Sequence, residues 1–189
     1  LDGSLKIPPL GTTPHPNVLA GFLAVAGGAY AAIPIFLTFS LSAWLAVLIR
    51  NKWFLIGAVL ILLVWGKNLS FMAPESSFSR RSQLTQMAIS MFKDKPLTGV
   101  GLNNFTVVMD QYGYIPATTR FLQPVHNIYL LILSETGILG ALGFTSLFLQ
   151  GLSLKAFKES PYFAILLFLG LLDHWPLTLQ TGFLLWSLY

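Results

Sequence analysis

The sequence contains no cysteine and few charged residues. The absence of cysteine among its 189 residues excludes disulfides, thiolate metal sites and thiol nucleophiles. Charged residues make up 10% of the chain, whereas soluble domains carry about a quarter. Hydrophobic residues reach 54%, and the mean hydropathy is +0.70. This composition indicates an integral membrane protein.

The apolar residues form continuous runs, unlike the alternating pattern of membrane β-barrel strands. The runs cover residues 17–49, 53–65, 126–154 and 161–172. The first run is too long for one upright crossing and short for two, so a kinked crossing and a set of broken helices both fit. We therefore predict an all-α, polytopic membrane fold.

The distribution of cations predicts which side of the membrane each loop faces. Two short loops, 50–52 and 155–160, are basic and are expected in the cytoplasm. The long polar segment 66–125 is then extracytoplasmic, together with the helix ends that carry His126 and His174. The formal charge of +4 is spread over separate loops, so nucleic-acid binding is not expected.

Residues 79–95 within the long loop predict an amphipathic helix. Ser79 is the expected N-cap, Pro96 ends the helix, and Arg81 lies on the apolar side. We expect this helix to lie along the outer membrane surface. The apolar stripe that recurs at helical spacing consists of Leu84, Met87, Ala88 and Met91.

Three polar residues stand out in the apolar run that begins at residue 126. His126 and Asn127 head the run, either as a cap for the helix that begins there or as a proton-transfer site. Glu135 lies further along, where an ionisable group usually faces a partner or a cavity. It would instead be hydrated if Gly137 breaks the helix near the membrane surface.

The segment 99–105 predicts a tight turn. Gly99 and Gly101 form a Gly-x-Gly pattern, but no third glycine or preceding strand makes it a dinucleotide site. The turn either binds an anion through backbone N–H groups or simply joins two surface helices. Arg80 and Arg81 are likewise either interfacial anchors or phosphate ligands.

The three histidines are far apart in the sequence, and none has metal-ligand spacing to another ligand. His15, His126 and His174 form no His-x-x-x-His pattern, and no Asp-x-Asp pattern is present. We therefore predict neither a metal site nor a cofactor.

Three stretches, in this order, carry a resemblance to a known family. They are GTTPHPNVLAGFLA (11–24), RSQLTQMAISMFKDKPLTGVGLNNF (81–105) and the His-Asn…Glu-x-Gly-Ile-Leu-Gly pattern of residues 126–140. Their order and spacing resemble bacterial O-antigen ligases and the related Wzy-type polymerases. The match covers residues 11–144, and residues 173–186 resemble the family more loosely.

The resemblance, to the C-terminal part of the family, implies a single, partial O-antigen ligase-like membrane domain over residues 1–189, helical and similar to GT-C glycosyltransferases. Such an enzyme transfers a glycan from undecaprenyl diphosphate to a hydroxyl of a glycan, lipid or protein in lipopolysaccharide biosynthesis. It would be a multi-pass protein of the bacterial cytoplasmic (inner) membrane, with its active face extracytoplasmic and with no metal or cofactor.

The resemblance also implies residue roles. His126 corresponds to the base that activates the acceptor hydroxyl, and Arg81 to an arginine that contacts the diphosphate, with Arg80 as the second candidate. The residues expected to support this site are Asn127, Gly99, Gly101, Asn103, Glu135 and His174.

Two departures from the family pattern predict weak or absent transfer by residues 1–189 alone. Leu41 stands where the family usually has an arginine after a serine, also placed at the diphosphate. Family members are also longer, with additional upstream helices. The alternative is therefore that the protein binds a lipid-diphosphate glycan without catalysis, or that it is a degenerate homologue.

Overall fold

The computed structural model describes residues 16–26, 35, 40–50, 75–113, 122–151 and 161–187, and the regular structure in them is entirely helical. This confirms the all-α prediction for the described part of the chain. The α-helices are α1 (Pro16–Ala26), α2 (Leu41–Arg50), α3 (Glu75–Asp94), α4 (Phe105–Val108), α5 (Ile128–Gly151), α6 (Pro161–Leu172), α7 (Trp175–Thr178) and α8 (Gln180–Trp186). A 3-10 turn, Met109–Gln111, follows α4.

Among the described helices, α5 is long and apolar enough to cross a membrane, over Ile128–Ser146. Two shorter apolar helical segments, Asn17–Ala26 and Tyr162–Leu172, lie in α1 and α6. Helix α5 falls within the run predicted to cross at residues 126–154. The crossing predicted at residues 53–65 lies outside the described residues, and the multi-pass topology stays a prediction.

The amphipathic helix predicted at residues 79–95 is present as α3, but it is longer at its start. In the described part of the chain it extends from Glu75 to Asp94. Ser79 lies inside the helix, so its assignment as N-cap is wrong. The predicted apolar stripe is confirmed as the buried face of α3: Leu84, Met87, Ala88 and Met91.

Two apolar clusters organise the described helices. The first cluster joins α1, α2, α6, α7 and α8, and its small side chains let these helices approach closely. Its residues include Ala20, Ala24, Ala43, Ala46, Ile165, Leu169, Trp175 and Leu185. The second cluster joins α3, α4 and the first turn of α5 through Leu84, Met87, Ala88, Met91, Phe105, Met109, Val125 and Leu131.

Helix α5 is interrupted at Gly137. This residue has a φ of 64° and a ψ of −165°, and a side chain on it would collide with the backbone of Leu97. The N–H groups of Ile138 and Leu139 donate to the carbonyl oxygens of Pro96 and Leu97, at 2.8 and 3.2 Å. In an uninterrupted helix they would bond to carbonyls four residues earlier. The helix break considered at Gly137 is therefore present.

Residues 96–105, which we call the inserted turn, occupy this break. The carbonyls of Ser134 and Glu135, which lose their helical partners at the break, accept hydrogen bonds from the N–H groups of Val100 and Gly101 at 2.9 and 2.8 Å. Two helical bonds, from Ile138 to Ser134 and from Leu139 to Glu135, are thus replaced by bonds to the inserted turn, which leaves these backbone groups paired. This joins the end of α3 directly to the middle of α5.

We expect the segment 66–125 to face outward, which single cysteines in this cysteine-free chain can test. Cysteines at Ser76 in α3 and at Thr118, which lies outside the described residues, should react with an impermeant maleimide in intact cells. A cysteine at Lys52, in a predicted cytoplasmic loop, is the control and should react only after lysis. The orientation is wrong if Ser76 and Thr118 also react only after lysis.

Candidate active site

Residues 171–174, the end of α6 and its connection to α7, contact polar side chains from α3 and from the residue that precedes α5. Asn127 Nδ2 donates a hydrogen bond to the carbonyl oxygen of Leu171, and Arg81 Nη1 donates to that of Leu172, both at 3.1 Å. These carbonyls end α6 and have no partners within that helix. A cation is also favoured there, because a helix C-terminus carries partial negative charge. Arg81 and the start of α5 therefore both contact the C-terminal end of α6.

His126, Asp173 and His174 form the centre of this site. His126 Nδ1 lies 3.3 Å from Asp173 Oδ1, and the backbone N–H of His174 donates to the same oxygen at 2.8 Å. The two imidazole rings are 5.2 Å apart between centroids, with their planes at 57°. The His126 side chain is 17% exposed and that of Asp173 is 8% exposed. The imidazole is thus open to a small group, whereas the carboxylate lies behind it.

The contact with Asp173 assigns the tautomer of neutral His126. An ionised carboxylate accepts hydrogen bonds and cannot donate them. Nδ1 of His126 must therefore carry the proton that points at Asp173. In the neutral ring, Nε2 then has a free lone pair and can accept a proton.

Asp173 is ionised in this environment despite its burial. Burial raises the pKa of its carboxyl, but the hydrogen bond from His126, the charges of His126 and His174 and the backbone N–H of His174 more than offset this and lower the pKa from 3.8 to about 2. Asp173 lies in the connection after α6, outside α5, the helix that is long and apolar enough to cross a membrane. It therefore holds a negative charge beside the imidazole over the whole physiological pH range.

This lowered pKa predicts how stability depends on pH. Because protons bind the unfolded carboxyl more tightly, ionised Asp173 stabilises the fold above about pH 4, and the contribution is lost as the pH falls through about 2. The difference in Tm between the parent and Asp173→Asn should therefore shrink with acidification. Asp110→Asn, at an exposed carboxyl, is the control and should show a smaller change. A Tm difference for Asp173→Asn that stays constant down to pH 2 would contradict the assignment.

Asn127 caps α5. Its side-chain Oδ1 accepts the N–H of Leu130 at 2.9 Å, and its carbonyl accepts the N–H of Leu131 at 3.0 Å. This is N-cap geometry, in which the side chain satisfies an N–H of the first helical turn. The cap considered for the His126–Asn127 pair is thus made by Asn127, and His126 directs Nδ1 at Asp173 instead.

The residues of the inserted turn do not belong to this cluster. Glu135 is buried, and its two carboxylate oxygens accept the N–H groups of Asn103 at 2.9 Å and Phe105 at 3.0 Å. The interpretation of Glu135 as a hydrated residue is therefore wrong. The turn does bind an anion through backbone N–H groups, and that anion is the Glu135 carboxylate of the same protein. Gly99 allows this close approach, because a side chain there would collide with the backbone of Glu135.

The two adjacent arginines differ in their surroundings. Arg81 is half-buried and reaches the end of α6, whereas Arg80 is exposed. The structure thus brings Arg81 to the site with His126, His174 and Asn127. The side chain of Leu41 and the residue His15 lie outside the described part of the chain.

His126 and His174, which are far apart in the sequence, lie close together in the structure. With Asp173 they supply three potential ligand atoms that lie within 4.8 Å of one another. Histidine nitrogen and carboxylate oxygen are ligand types that Zn²⁺ accepts. These residues could therefore hold a divalent ion, in contrast to the prediction from spacing along the chain.

Asp173 is the functional candidate that spacing along the sequence did not reveal. It is 47 residues from His126 along the chain, so no local motif joins them. The available signal was its position: an acidic residue interrupting a long apolar run usually has a partner.

Comparison with known proteins gives one finding. A family model described as O-antigen ligase matches residues 17–145, which is more than half of the chain. The matched range contains Arg81, His126 and Asn127 and ends before Asp173. No curated protein and no solved structure gives a significant match.

Proposed function

Because the chain belongs to the O-antigen ligase family, we propose that it transfers a glycan from undecaprenyl diphosphate to an acceptor hydroxyl. Proteins of this family are inner-membrane proteins of lipopolysaccharide biosynthesis, in a context of lipid-linked glycans. The observation that carries the proposal is the meeting of a His–Asp pair and an arginine at the end of α6. These groups supply a proton acceptor and a ligand for a phosphate-bearing leaving group.

His126 is the proposed general base. The acceptor oxygen attacks the anomeric carbon, the bond from that carbon to the diphosphate oxygen breaks, and the hydroxyl proton moves to Nε2 of His126. Asp173, on the other ring nitrogen, orients the imidazole and stabilises the imidazolium that forms. The electron pair of the broken bond leaves on the lipid diphosphate.

Arg81 is the proposed ligand of that diphosphate. A guanidinium has five N–H donors in a planar fork that matches two phosphate oxygens. Among the described residues, one of these donors is used, on the carbonyl of Leu172. This bond would hold the fork in place beside His126, where it stabilises the charge that develops on the leaving group.

We expect transfer to be independent of metal. A purified, complete version of the enzyme in nanodiscs, supplied with an undecaprenyl-diphosphate glycan and a hydroxyl acceptor, should give the same yield of product with and without EDTA. The reason is that Arg81 replaces a divalent cation at the diphosphate. Activity that EDTA removes and that Mg²⁺, Mn²⁺ or Zn²⁺ restores would contradict this and would point to the ligand set of His126, Asp173 and His174.

One observation favours a second function. Leu41, at the start of α2, replaces an arginine that the family resemblance places at the diphosphate. A site with one cation fewer would bind the lipid-diphosphate glycan without transferring it. The same nanodiscs separate the two functions, because a pure binder would retain labelled donor and release no product.

A further inference from the structure

Glu135 is a buried acid whose described partners are backbone N–H groups. Its side chain accepts the N–H groups of Asn103 and Phe105, one on each oxygen, and only 8% of the residue is exposed. A charged acceptor makes roughly twice as strong a hydrogen bond as a neutral one. The carboxylate therefore anchors one end of the inserted turn, while the backbone bonds at the helix break anchor the other.

The inserted turn is continuous with the helix that carries Arg81. The N–H of Lys95 donates to the carbonyl of Met91, and the N–H of Gly99 donates to the carbonyl of Lys95, at 3.0 and 2.8 Å. These bonds extend the hydrogen-bonded chain of α3 into the turn. Arg81 lies 13 residues before the end of α3 at Asp94, roughly 20 Å along the axis.

Glu135 itself is too far from the proposed chemistry to act on the substrate. It lies seven residues into α5, roughly 10 Å along the axis from Ile128 and further from His126. Both of its oxygens are occupied by the inserted turn. Its effect on the reaction must therefore be transmitted through the structure.

We propose that Glu135 is a positioning residue for Arg81. By holding the inserted turn in the break of α5, its carboxylate sets the position of α3 and so brings Arg81 to the carbonyl of Leu172 beside His126. This inference rests on the proposed function of Arg81 at the diphosphate. The positioning role also explains the break at Gly137, because a continuous α5 would have no free carbonyls to accept hydrogen bonds from the inserted turn.

Glu135→Gln is the test variant. Glutamine keeps the shape but turns one acceptor into an N–H₂ donor that faces a backbone N–H. We expect the KM for the lipid-diphosphate donor to rise about tenfold, as for the loss of a charge-assisted hydrogen bond, with the acceptor KM unchanged. Asp110→Asn removes one exposed negative charge near the turn and is the matched control, with both constants unchanged.

A double-mutant cycle shows whether Glu135 acts through Arg81. In an Arg81→Ala background, Glu135→Gln should cause no further rise in the donor KM. If the two increases multiply, or if the acceptor KM rises as much as the donor KM, the inference is overturned. Should Glu135→Gln fail to fold, Glu135→Asp, which keeps the charge on a shorter side chain, takes its place in the same cycle.

A second measurement needs no activity and so separates failure of this inference from failure of the proposed function. Spin labels on cysteines at Ser82 in α3 and Leu142 in α5, both exposed in this cysteine-free chain, report the distance between the two helices. The distance distribution should broaden in Glu135→Gln and stay narrow in Asp110→Asn. An unchanged distribution overturns the inference. If the distribution broadens but Arg81→Ala leaves the donor KM unchanged, the positioning of Arg81 by Glu135 is supported. The proposed role of Arg81 at the diphosphate is then wrong.

Discussion

Replacing His126 with alanine, in a complete and active version of the enzyme, should lower turnover by about 10²–10⁴-fold, the usual contribution of a general base. The donor KM should change little, because the proton is transferred only in the transition state. Folding should be preserved, since the N-cap of α5 is made by Asn127 and not by His126. The measurement is the rate of product formation at neutral pH, together with the Tm of each purified variant.

Two further variants make this result specific to the His–Asp pair. If Asp173 acts by orienting His126, the single variant Asp173→Asn should lower turnover. The same change should cause no further loss of turnover in the His126→Ala background. Asn127→Ala should reduce stability by about 1 kcal/mol through loss of the cap and should have a milder effect on turnover. If His126→Ala keeps near-normal turnover and expresses normally, His126 is only a polar residue at the start of a helix, and the proposed mechanism loses its base.

Replacing Arg81 with lysine should lower kcat/KM for the donor by about 10–100-fold, as for the loss of a hydrogen bond to a charged group. Lysine keeps the charge, but it is a point cation on a flexible stem and cannot reproduce the planar fork. It also cannot hold the carbonyl of Leu172 and two phosphate oxygens in the same fixed geometry. The measurement is a comparison of donor and acceptor kinetics for each variant.

The neighbouring arginine provides a matched control for this prediction. Arg80→Lys makes the same chemical change one residue away, at an exposed side chain, and should leave donor kinetics within about twofold of the parent. If Arg80→Lys shows the loss and Arg81→Lys does not, the diphosphate ligand is Arg80. If neither variant is impaired, the arginines are interfacial anchors.

The sequence by itself was sufficient for features that depend on neighbours along the chain. Continuous apolar runs and scarce charge predicted a helical membrane protein, because hydropathy and its period are local properties. The stripe from Leu84 to Met91 predicted the buried face of α3 for the same reason. Gly137 indicated a helix break, because glycine adopts backbone angles that other residues avoid. The start of α3 was misplaced at Ser79, because several polar residues in a row all suit a helix start.

The tertiary structure alone decided which distant residues meet. Asp173 contacts His126 only because α6 ends beside the start of α5, and no local pattern encodes how two apolar helices pack in a membrane. The partners of Glu135, the N–H groups of Asn103 and Phe105, could not be predicted for a related reason. Almost every residue has a backbone N–H, so no sequence pattern indicates which of them bind a carboxylate. The sequence thus determined the candidate chemical groups, and helix packing determined that Arg81, His126 and Asp173 share one site while Glu135 holds the turn that leads to it.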